Sequence, residues 1–155
     1  LVAARVSRRG STAATMYDHL RAIQLNVADT PDLVPPLAIV AAFAEGTSKF
    51  IGVQRLRLKE SDRLQSITAA IGALGAQAYI EGDDTLVIEG HGSLDGGSVD
   101  GKSDHRIVMM ASVAASFAND PTTITHAEAI AKSYPTFFED FRVLGGNVEL
   151  TDTTE

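Results

Sequence analysis

Acidic and basic side chains stand at the start of several apolar, helix-like segments of the sequence. The positions are Asp32, Lys59-Glu60, Asp104-His105-Arg106 and Lys132-Ser133, with Arg63 shortly after the second group. Acids at helix starts have an ordinary structural explanation, because carboxylates cap free backbone N–H groups and interact favourably with the helix dipole. Cations at the same positions are unfavourable by about 0.3–1 kcal/mol. Their presence therefore requires a compensating negative charge nearby.

Four cations share this placement: Lys59, Arg63, Arg106 and Lys132. Helix N-termini attract anions through their free N–H groups, and arginine adds bidentate contacts to phosphate or carboxylate. One shared anion pocket would explain all four, with Asp32 and Glu60 available for proton transfer on a multiply anionic substrate. Ion pairs within each cluster, such as Lys59 or Arg63 with Asp62, would explain the same residues without a ligand. The spacing alone leaves both interpretations open.

Other kinds of site have little support. The sequence has no cysteine, and its four histidines lack the close spacing of a metal site: His19, His91, His105 and His126. Ser103, Asp104 and His105 are consecutive, whereas a catalytic triad needs side chains that converge from separate places. No Gly-x-x-x-x-Gly-Lys-Ser/Thr phosphate loop is present. We therefore expect neither a metal nor a cofactor.

Composition limits the partners. The 155 residues are 45% hydrophobic, enough for one globular core, and 20 acids against 13 bases give a formal net charge of −7. This charge repels nucleic acid and anionic membranes, so we expect no partner of either kind. The longest apolar stretch, residues 34–44, contains two prolines and is about half the ~20 residues of a membrane span. The sequence begins at Leu1 rather than at methionine, which predicts a fragment or a processed product.

The polar clusters recur with a fixed spacing. Asp32 to Glu60 and Asp104 to Lys132 are each 28 residues, and Asp32 to Asp104 and Glu60 to Lys132 are each 72. The pattern predicts two repeated units, one at about 21–90 and the other at about 97–151. We expect an α/β (α+β) fold in which each unit runs strand, helix, strand, helix, strand, strand. Residues 1–14 favour a truncated first strand and loop, with a transit peptide as the alternative.

Local patterns place the elements of both units. In the first unit we expect a strand at 23–27, a buried helix at 31–44 ended by Gly46, a strand around 50–53, a helix at 64–74 stopped by Gly75, and a hairpin of 77–80 with 85–88. In the second unit we expect a helix at 104–118, a strand at 122–125 and a helix at 134–144. Ser133 is the predicted N-cap of the last helix, with Pro135 in its first turn.

Four motifs together resemble the 5-enolpyruvylshikimate-3-phosphate synthase family in order and spacing. They are Pro31-Asp32, the run from Arg57 to Arg63, Asp104-His105-Arg106, and Lys132-Ser133-Tyr134-Pro135. The resemblance covers about residues 23–150 and is poor over residues 1–20. It implies an enolpyruvyl transferase-like, inside-out α/β barrel domain built from βαβαββ units. It also implies that residues 1–155 are part of the C-terminal domain of a two-domain enzyme, with substrates bound between the domains.

The activity implied by the resemblance is transfer of the carboxyvinyl group of phosphoenolpyruvate to the 5-hydroxyl of shikimate 3-phosphate, with release of phosphate. Asp32 would be the base for the attacking hydroxyl, and Glu60 the acid and base at the methylene carbon. Lys59 and Lys132 would belong to the catalytic set with them. The resemblance implies cytoplasmic chorismate and aromatic amino acid biosynthesis, without a metal or cofactor.

The same resemblance assigns the binding residues. Shikimate 3-phosphate would contact Asp32, Arg55 and Lys59. Phosphoenolpyruvate would contact Arg63, Arg106 and Lys132. Asp104 and His105 would orient the latter clamp. Two positions depart from the family pattern, since Arg55 replaces a frequent asparagine and Thr136 a frequent acid. These differences bear on the substrate contacts and not on the class of reaction.

An N-terminal portion of the same enzyme, absent from this sequence, would complete the site, so we expect this chain alone to be inactive. Two alternatives stay open. One is the related enolpyruvyl transferase that acts on UDP-N-acetylglucosamine, which shares the fold but lacks this combination of motifs. The other is a non-catalytic anion-binding domain of the same fold, against which the presence of both Asp32 and Glu60 argues.

Overall fold

A computed structural model describes residues 2–7 and 20–152, which form two four-stranded sheets and four α-helices. The strands are β1 (Val2–Ser7), β2 (Gln24–Asn26), β3 (Glu45–Ile51), β4 (Gln77–Glu81), β5 (Thr85–His91), β6 (Ser98–Asp100), β7 (Thr122–Thr125) and β8 (Asn147–Asp152). The helices are α1 (Val34–Phe43), α2 (Arg63–Ala73), α3 (His105–Ala115) and α4 (Phe137–Val143). Short 3₁₀ helices cover Pro31–Leu33, Gln54–Leu58 and Ala127–Lys132.

The two sheets have the same topology. Their strand orders are β2-β3-β5-β4 and β6-β7-β1-β8, and in each the first two strands are parallel while the remaining neighbours are antiparallel. The predicted α/β fold of two repeated units is thereby confirmed. In the second sheet β1 occupies the position that β5 occupies in the first. The strand predicted within residues 1–14 is therefore present at 2–7, whereas the loop predicted for residues 8–14 lies outside the described residues.

One continuous core joins the two units. Helices α1, α2 and α3 contact one another, and the buried side chains between them and the sheets include Phe50, Leu64, Ile107 and Ile124. Close packing extends to the backbone at Gly90 of β5, where an added Cβ would lie 2.0 Å from the carbonyl oxygen of Ala44 at the end of α1. Glycine at this position is what lets the helix end approach the sheet.

The stop predicted for the first helix was wrong, whereas the second helix lies within one residue of its predicted bounds. Helix α1 ends at Phe43 because Ala44 is extended and Glu45 already pairs with His91, so Gly46 lies within β3 rather than stopping the helix. Helix α2 is capped by Asp62, whose side chain accepts a hydrogen bond from the Gln65 amide.

The last helix begins later than predicted. Residues 127–132 form a 3₁₀ helix, and the Ser133 and Tyr134 amides donate to the Ile130 carbonyl, which extends that turn. Helix α4 starts only at Phe137, after Thr136. Ser133 is therefore the residue that ends the 3₁₀ helix and not the N-cap of α4, and Pro135 precedes the helix. Among the residues described, no helix has the length and apolarity needed to cross a membrane.

Candidate active site

The side chain of Arg63 links the two units at the N-termini of α2 and α3. It is the first residue of α2, only 1% of it is exposed, and its guanidinium makes four hydrogen bonds to three carboxylates. Two bonds go to Asp104 (Nε to Oδ2, 2.9 Å; Nη2 to Oδ1, 3.1 Å), one goes to Asp32 (3.1 Å), and one goes to Glu60. A guanidinium has five N–H donors, so most of its bonding capacity is used. The buried guanidinium of Arg63 thus holds three carboxylates around itself.

Asp104 is the fixed member of this cluster. Its side chain is completely buried, caps α3 by accepting the Arg106 amide at 3.0 Å, and accepts the Ser61 hydroxyl at 3.0 Å. Burial raises the pKa of the Asp104 carboxyl, but the hydrogen bonds and charge of Arg63, with the other two donors, outweigh this and hold the pKa below its ordinary value. Asp104 is therefore charged at neutral pH, as a partner for buried Arg63 must be.

Asp32 lies at the open side of the same cluster. It belongs to the 3₁₀ turn before α1 rather than to a helix cap, and 48% of its side chain is exposed. Its carboxylate lies 3.1 Å from Lys59 Nζ, 3.1 Å from Arg63 Nη1 and 3.7 Å from Arg106 Nη2. Burial raises the pKa of Asp32, but the Lys59 hydrogen bond and the charges of Arg106, Lys59 and Arg63 bring it below its ordinary value. In this state Asp32 is a charged hydrogen-bond acceptor.

The cluster is balanced in charge. Three cations, Lys59, Arg63 and Arg106, are in contact with three carboxylates, Asp32, Glu60 and Asp104. The ion pairs run mostly between the sequence motifs and not within them. The pairs of Lys59 or Arg63 with Asp62 that the sequence allowed do not occur among the described residues, where Asp62 contacts Arg57 at 3.5 Å. The structure thus brings together six of the residues singled out from the sequence.

The other predicted site residues lie beside this cluster. Lys132 Nζ donates at 2.7 Å to the carbonyl of Ser103, one residue before Asp104. Arg55 is exposed and its Nη1 lies 3.4 Å from the Ala28 carbonyl, on the segment that leads to Asp32. His105 follows Asp104 and is 8% exposed, and its buried Nδ1 lacks a hydrogen-bond partner within the described part of the chain.

Backbone strain is concentrated next to the site. Lys102 and Ser103 are consecutive non-glycine residues with φ of 53°, immediately before the Asp104 cap. This backbone conformation is rare for non-glycine residues and persists only where the surrounding structure holds it. Two contacts do so: the Lys102 amide donates to Asp100 Oδ1 at 2.9 Å, and the Lys132 ammonium holds the Ser103 carbonyl. Lys132 therefore stabilises the loop that presents Asp104 and Arg106.

Two hydroxyl groups of the network were missed by the sequence analysis. Ser61 donates to Asp104 Oδ2 and lies 3.0 Å from Ser66 Oγ, while Ser66 Oγ lies 3.0 Å from the Asp62 carbonyl. Ser66 follows Arg63 by three residues and so shares its buried helix face. A serine on an otherwise apolar face was the available signal, since a buried hydroxyl requires a partner.

An apolar groove of about 420 Å³ adjoins the cluster between α1 and α3. Its lining residues include Ile39, Val40, Met109, Val113 and Phe137, with Arg106 on the side of the charged cluster. Val40 and Val113 are 49% and 43% exposed. In the part of the chain that the structure describes, no group of three acidic or histidine side chains is arranged to hold a metal ion.

The chain is similar to known proteins of one family. The model of the EPSP synthase (3-phosphoshikimate 1-carboxyvinyltransferase) family matches residues 2–141, which includes β1. A 3-phosphoshikimate 1-carboxyvinyltransferase of Clostridium kluyveri is 45% identical over 127 residues, which cover 82% of this chain and 30% of that protein. The enzyme of the same name from Methanocella arvoryzae is 46% identical over 131 residues, which cover 84% of this chain and 31% of that protein.

Solved structures agree. EPSP synthase from Acinetobacter baumannii superposes with a TM-score of 0.72 at 33% identity, over 81% of this chain and 30% of that one. The enolpyruvyl transferase NikO from Streptomyces tendae superposes with a TM-score of 0.70 over 86% of this chain and 30% of that one; its identity of 21% bears on the fold alone. This chain thus spans about 30% of the length of the relatives it matches. Motifs, repeated topology and matches agree that the chain belongs to the EPSP synthase family.

Proposed function

We propose that this chain is part of the C-terminal domain of an enzyme that transfers the enolpyruvyl group of phosphoenolpyruvate to the 5-hydroxyl of shikimate 3-phosphate, in the cytoplasmic biosynthesis of chorismate and aromatic amino acids. The observation that carries the proposal is the cluster of three cations and three carboxylates where the two units meet. It combines groups that bind multiply charged anions with acids that can transfer protons. Family membership supplies the reaction.

The proposed binding roles follow the placement of each cation. Arg106 and Lys59 are partly exposed at the open side of the cluster, which suits contact with a phosphate or carboxylate. We assign Arg63, Arg106 and Lys132 to phosphoenolpyruvate and Asp32, Arg55 and Lys59 to shikimate 3-phosphate. Asp104 and His105 would position the arginines.

The proposed chemistry needs proton transfers in both directions. Glu60, once it has taken up a proton, donates that proton to the methylene carbon of phosphoenolpyruvate, so that the adjacent carbon becomes electrophilic. The 5-hydroxyl oxygen attacks that carbon and gives its proton to Asp32, which forms a tetrahedral intermediate. Inorganic phosphate then leaves with the proton held by Asp32, and Glu60 removes one methyl proton, which restores the double bond as an enol ether and returns both acids to their starting states. Lys59 contacts Asp32 and stabilises its carboxylate before the proton is transferred.

The remaining substrate contacts would come from the N-terminal portion of the same enzyme. The chain spans about 30% of its relatives, and the apolar groove between α1 and α3 exposes Val40 and Val113. Exposed apolar surface of this kind is typical of a face covered by further protein. We therefore expect the isolated chain to bind anions without turnover.

The test is phosphate release from phosphoenolpyruvate plus shikimate 3-phosphate, measured with this chain alone, with the remainder of a related enzyme alone, and with the two mixed. Activity only in the mixture supports the proposal. The mixture with Glu60→Gln should lose turnover, whereas the mixture with Asp62→Asn should retain it. A silent mixture that still binds both substrates would instead favour a non-catalytic binding domain.

A further inference from the structure

The anion-binding groups of this site are already occupied by the protein's own carboxylates. Arg63 uses four hydrogen bonds on Asp32, Glu60 and Asp104, and the cluster has equal numbers of positive and negative side chains. A free anion therefore gains little from simple addition to the cluster, because each cation near it is neutralised. The four bonds to carboxylates leave Arg63 one of its five N–H donors, so for an anion to make more than one hydrogen bond to Arg63 one of the three carboxylates has to give way.

The three carboxylates differ in how firmly they are held. Asp104 is completely buried, binds Arg63 through both oxygens, and also accepts from Ser61 and the Arg106 amide. Removing it would leave a buried charge unpaired, which is strongly unfavourable. Glu60 has 38% of its side chain exposed, and within the described residues Arg63 is its one side-chain partner. Asp32 is held by three cations, Lys59, Arg63 and Arg106. Glu60 can therefore leave for solvent at a lower cost than either Asp32 or Asp104.

We propose that Arg63 works by carboxylate exchange: an anionic ligand takes the place of Glu60 on Nη2 of the guanidinium, while Asp104 keeps its bonds to Nε and Nη2. The ligand gains a further contact to Arg106, which pairs with Asp32, another partner of the same guanidinium, and has 37% of its side chain exposed. The exchange couples ligand binding to the release of the Glu60 carboxylate. If the proposed function holds, Glu60 becomes available for proton transfer only after the anionic substrate has arrived.

This mechanism predicts an unusual sign for one substitution. Glu60→Gln keeps the shape of the side chain but removes the charge that competes for Arg63, so it should strengthen anion binding. We expect inorganic phosphate and phosphoenolpyruvate, titrated separately into the full 155-residue chain by calorimetry or NMR, to bind about three- to tenfold more tightly to Glu60→Gln than to the unchanged chain, a gain of about 0.6–1.4 kcal/mol. A substrate contact or a passive neighbour would give weaker or unchanged binding.

The control is Asp62→Asn, which makes the same change of charge two residues away. Asp62 contacts Arg57 and not Arg63, and asparagine preserves its cap on α2. Its effect on anion affinity should be less than about twofold, because only screened long-range repulsion is removed. Thermal unfolding of both variants should match that of the unchanged chain, which separates binding effects from folding effects.

Three results would overturn the exchange: unchanged or weaker binding by Glu60→Gln, an equal gain in both variants, or no anion binding by either Glu60→Gln or the unchanged chain. Because this test measures binding alone, it is independent of turnover. Tighter binding by Glu60→Gln together with a silent reconstituted mixture would keep the exchange and remove the proposed reaction. Normal turnover in the mixture, together with an unchanged anion affinity of Glu60→Gln, would keep the proposed reaction and remove the exchange.

Discussion

Replacing Asp104 by asparagine should destabilise the chain far more than the same replacement at Asp62, although both residues cap a helix. Asparagine caps helices as well as aspartate does, so loss of the cap contributes little in either variant. The difference comes from charge. Asp104 is completely buried against Arg63, whereas 41% of the Asp62 side chain is exposed and its ion pair with Arg57 spans 3.5 Å.

The expected magnitude follows from the fate of the Arg63 charge. Breaking a buried ion pair by removing one partner costs about 3–5 kcal/mol, and the value here should lie near 3 because Asp32 and Glu60 still contact the guanidinium. For a chain of this size that corresponds to a fall in Tm of about 6–12 °C. Asp62→Asn should cost less than about 0.5 kcal/mol. Urea unfolding followed by circular dichroism, with thermal scans, measures both.

A loss below about 1 kcal/mol for Asp104→Asn would refute this reasoning, since a net hydrogen bond of ordinary strength would then account for the contact. The double variant Arg63→Met/Asp104→Asn provides a second check. It should recover part of the lost stability, because no unpaired charge is then buried. No recovery would mean that Asp104 acts through something other than its charge.

The remaining predictions concern packing and pH. Gly90→Ala should destabilise the chain by about 1–3 kcal/mol, because the new Cβ would lie 2.0 Å from the Ala44 carbonyl oxygen. Gly72→Ala, in α2 with open space around it, should instead stabilise by about 0.5–1 kcal/mol; equal effects of the two in urea unfolding would contradict the packing. Burial raises the pKa of Asp100, but hydrogen bonds from Lys102 outweigh this and lower it to about 2. The lowered pKa of Asp100 stabilises the fold at pH values above the pKa of the unfolded chain, near 3.9, and this stability is lost as the pH falls towards 2. Asp100→Asn should therefore flatten the acid-unfolding profile in this pH range. An unaltered profile would show that the contact is not stabilising.

Much of the fold was predictable because its signals are local. The apolar stretch of α1, the helical spacing of Leu64, Ile67 and Ile71, and the turn at Gly82 between β4 and β5 each specify an element from neighbouring residues. The late start of α4 was not predictable in this way, because it depends on a 3₁₀ turn over residues 127–132. The place of β1 in the second sheet depends on pairing with strands more than 100 residues away, which no local pattern encodes.

The members of the charged cluster were predictable from the sequence, but their arrangement was not. Charge at helix starts singled out Asp32 and Glu60 as well as Arg63 and Arg106. Of these, the cations are the residues that are unexpected at a helix start. That Arg63 is buried and bonded to three acids depends on the meeting of α2 with α3 and could not be read from spacing. From the sequence we expected either an open anion pocket or ion pairs at the surface. The structure instead has a buried cation, Arg63, whose charge is neutralised by carboxylates of the same chain.

The position of β1 has a consequence for the order of folding. β1 pairs with β7 and β8, as in the contact of Ala3 with Thr151, which are 148 residues apart in sequence. The first sheet instead draws all its strands from residues 24–91. Contacts between distant residues form slowly, because a long loop has to close before they are gained. During synthesis the first unit can therefore assemble on its own, while β1 has to wait for β7 and β8, and its unpaired edges are where misassembly between chains would begin.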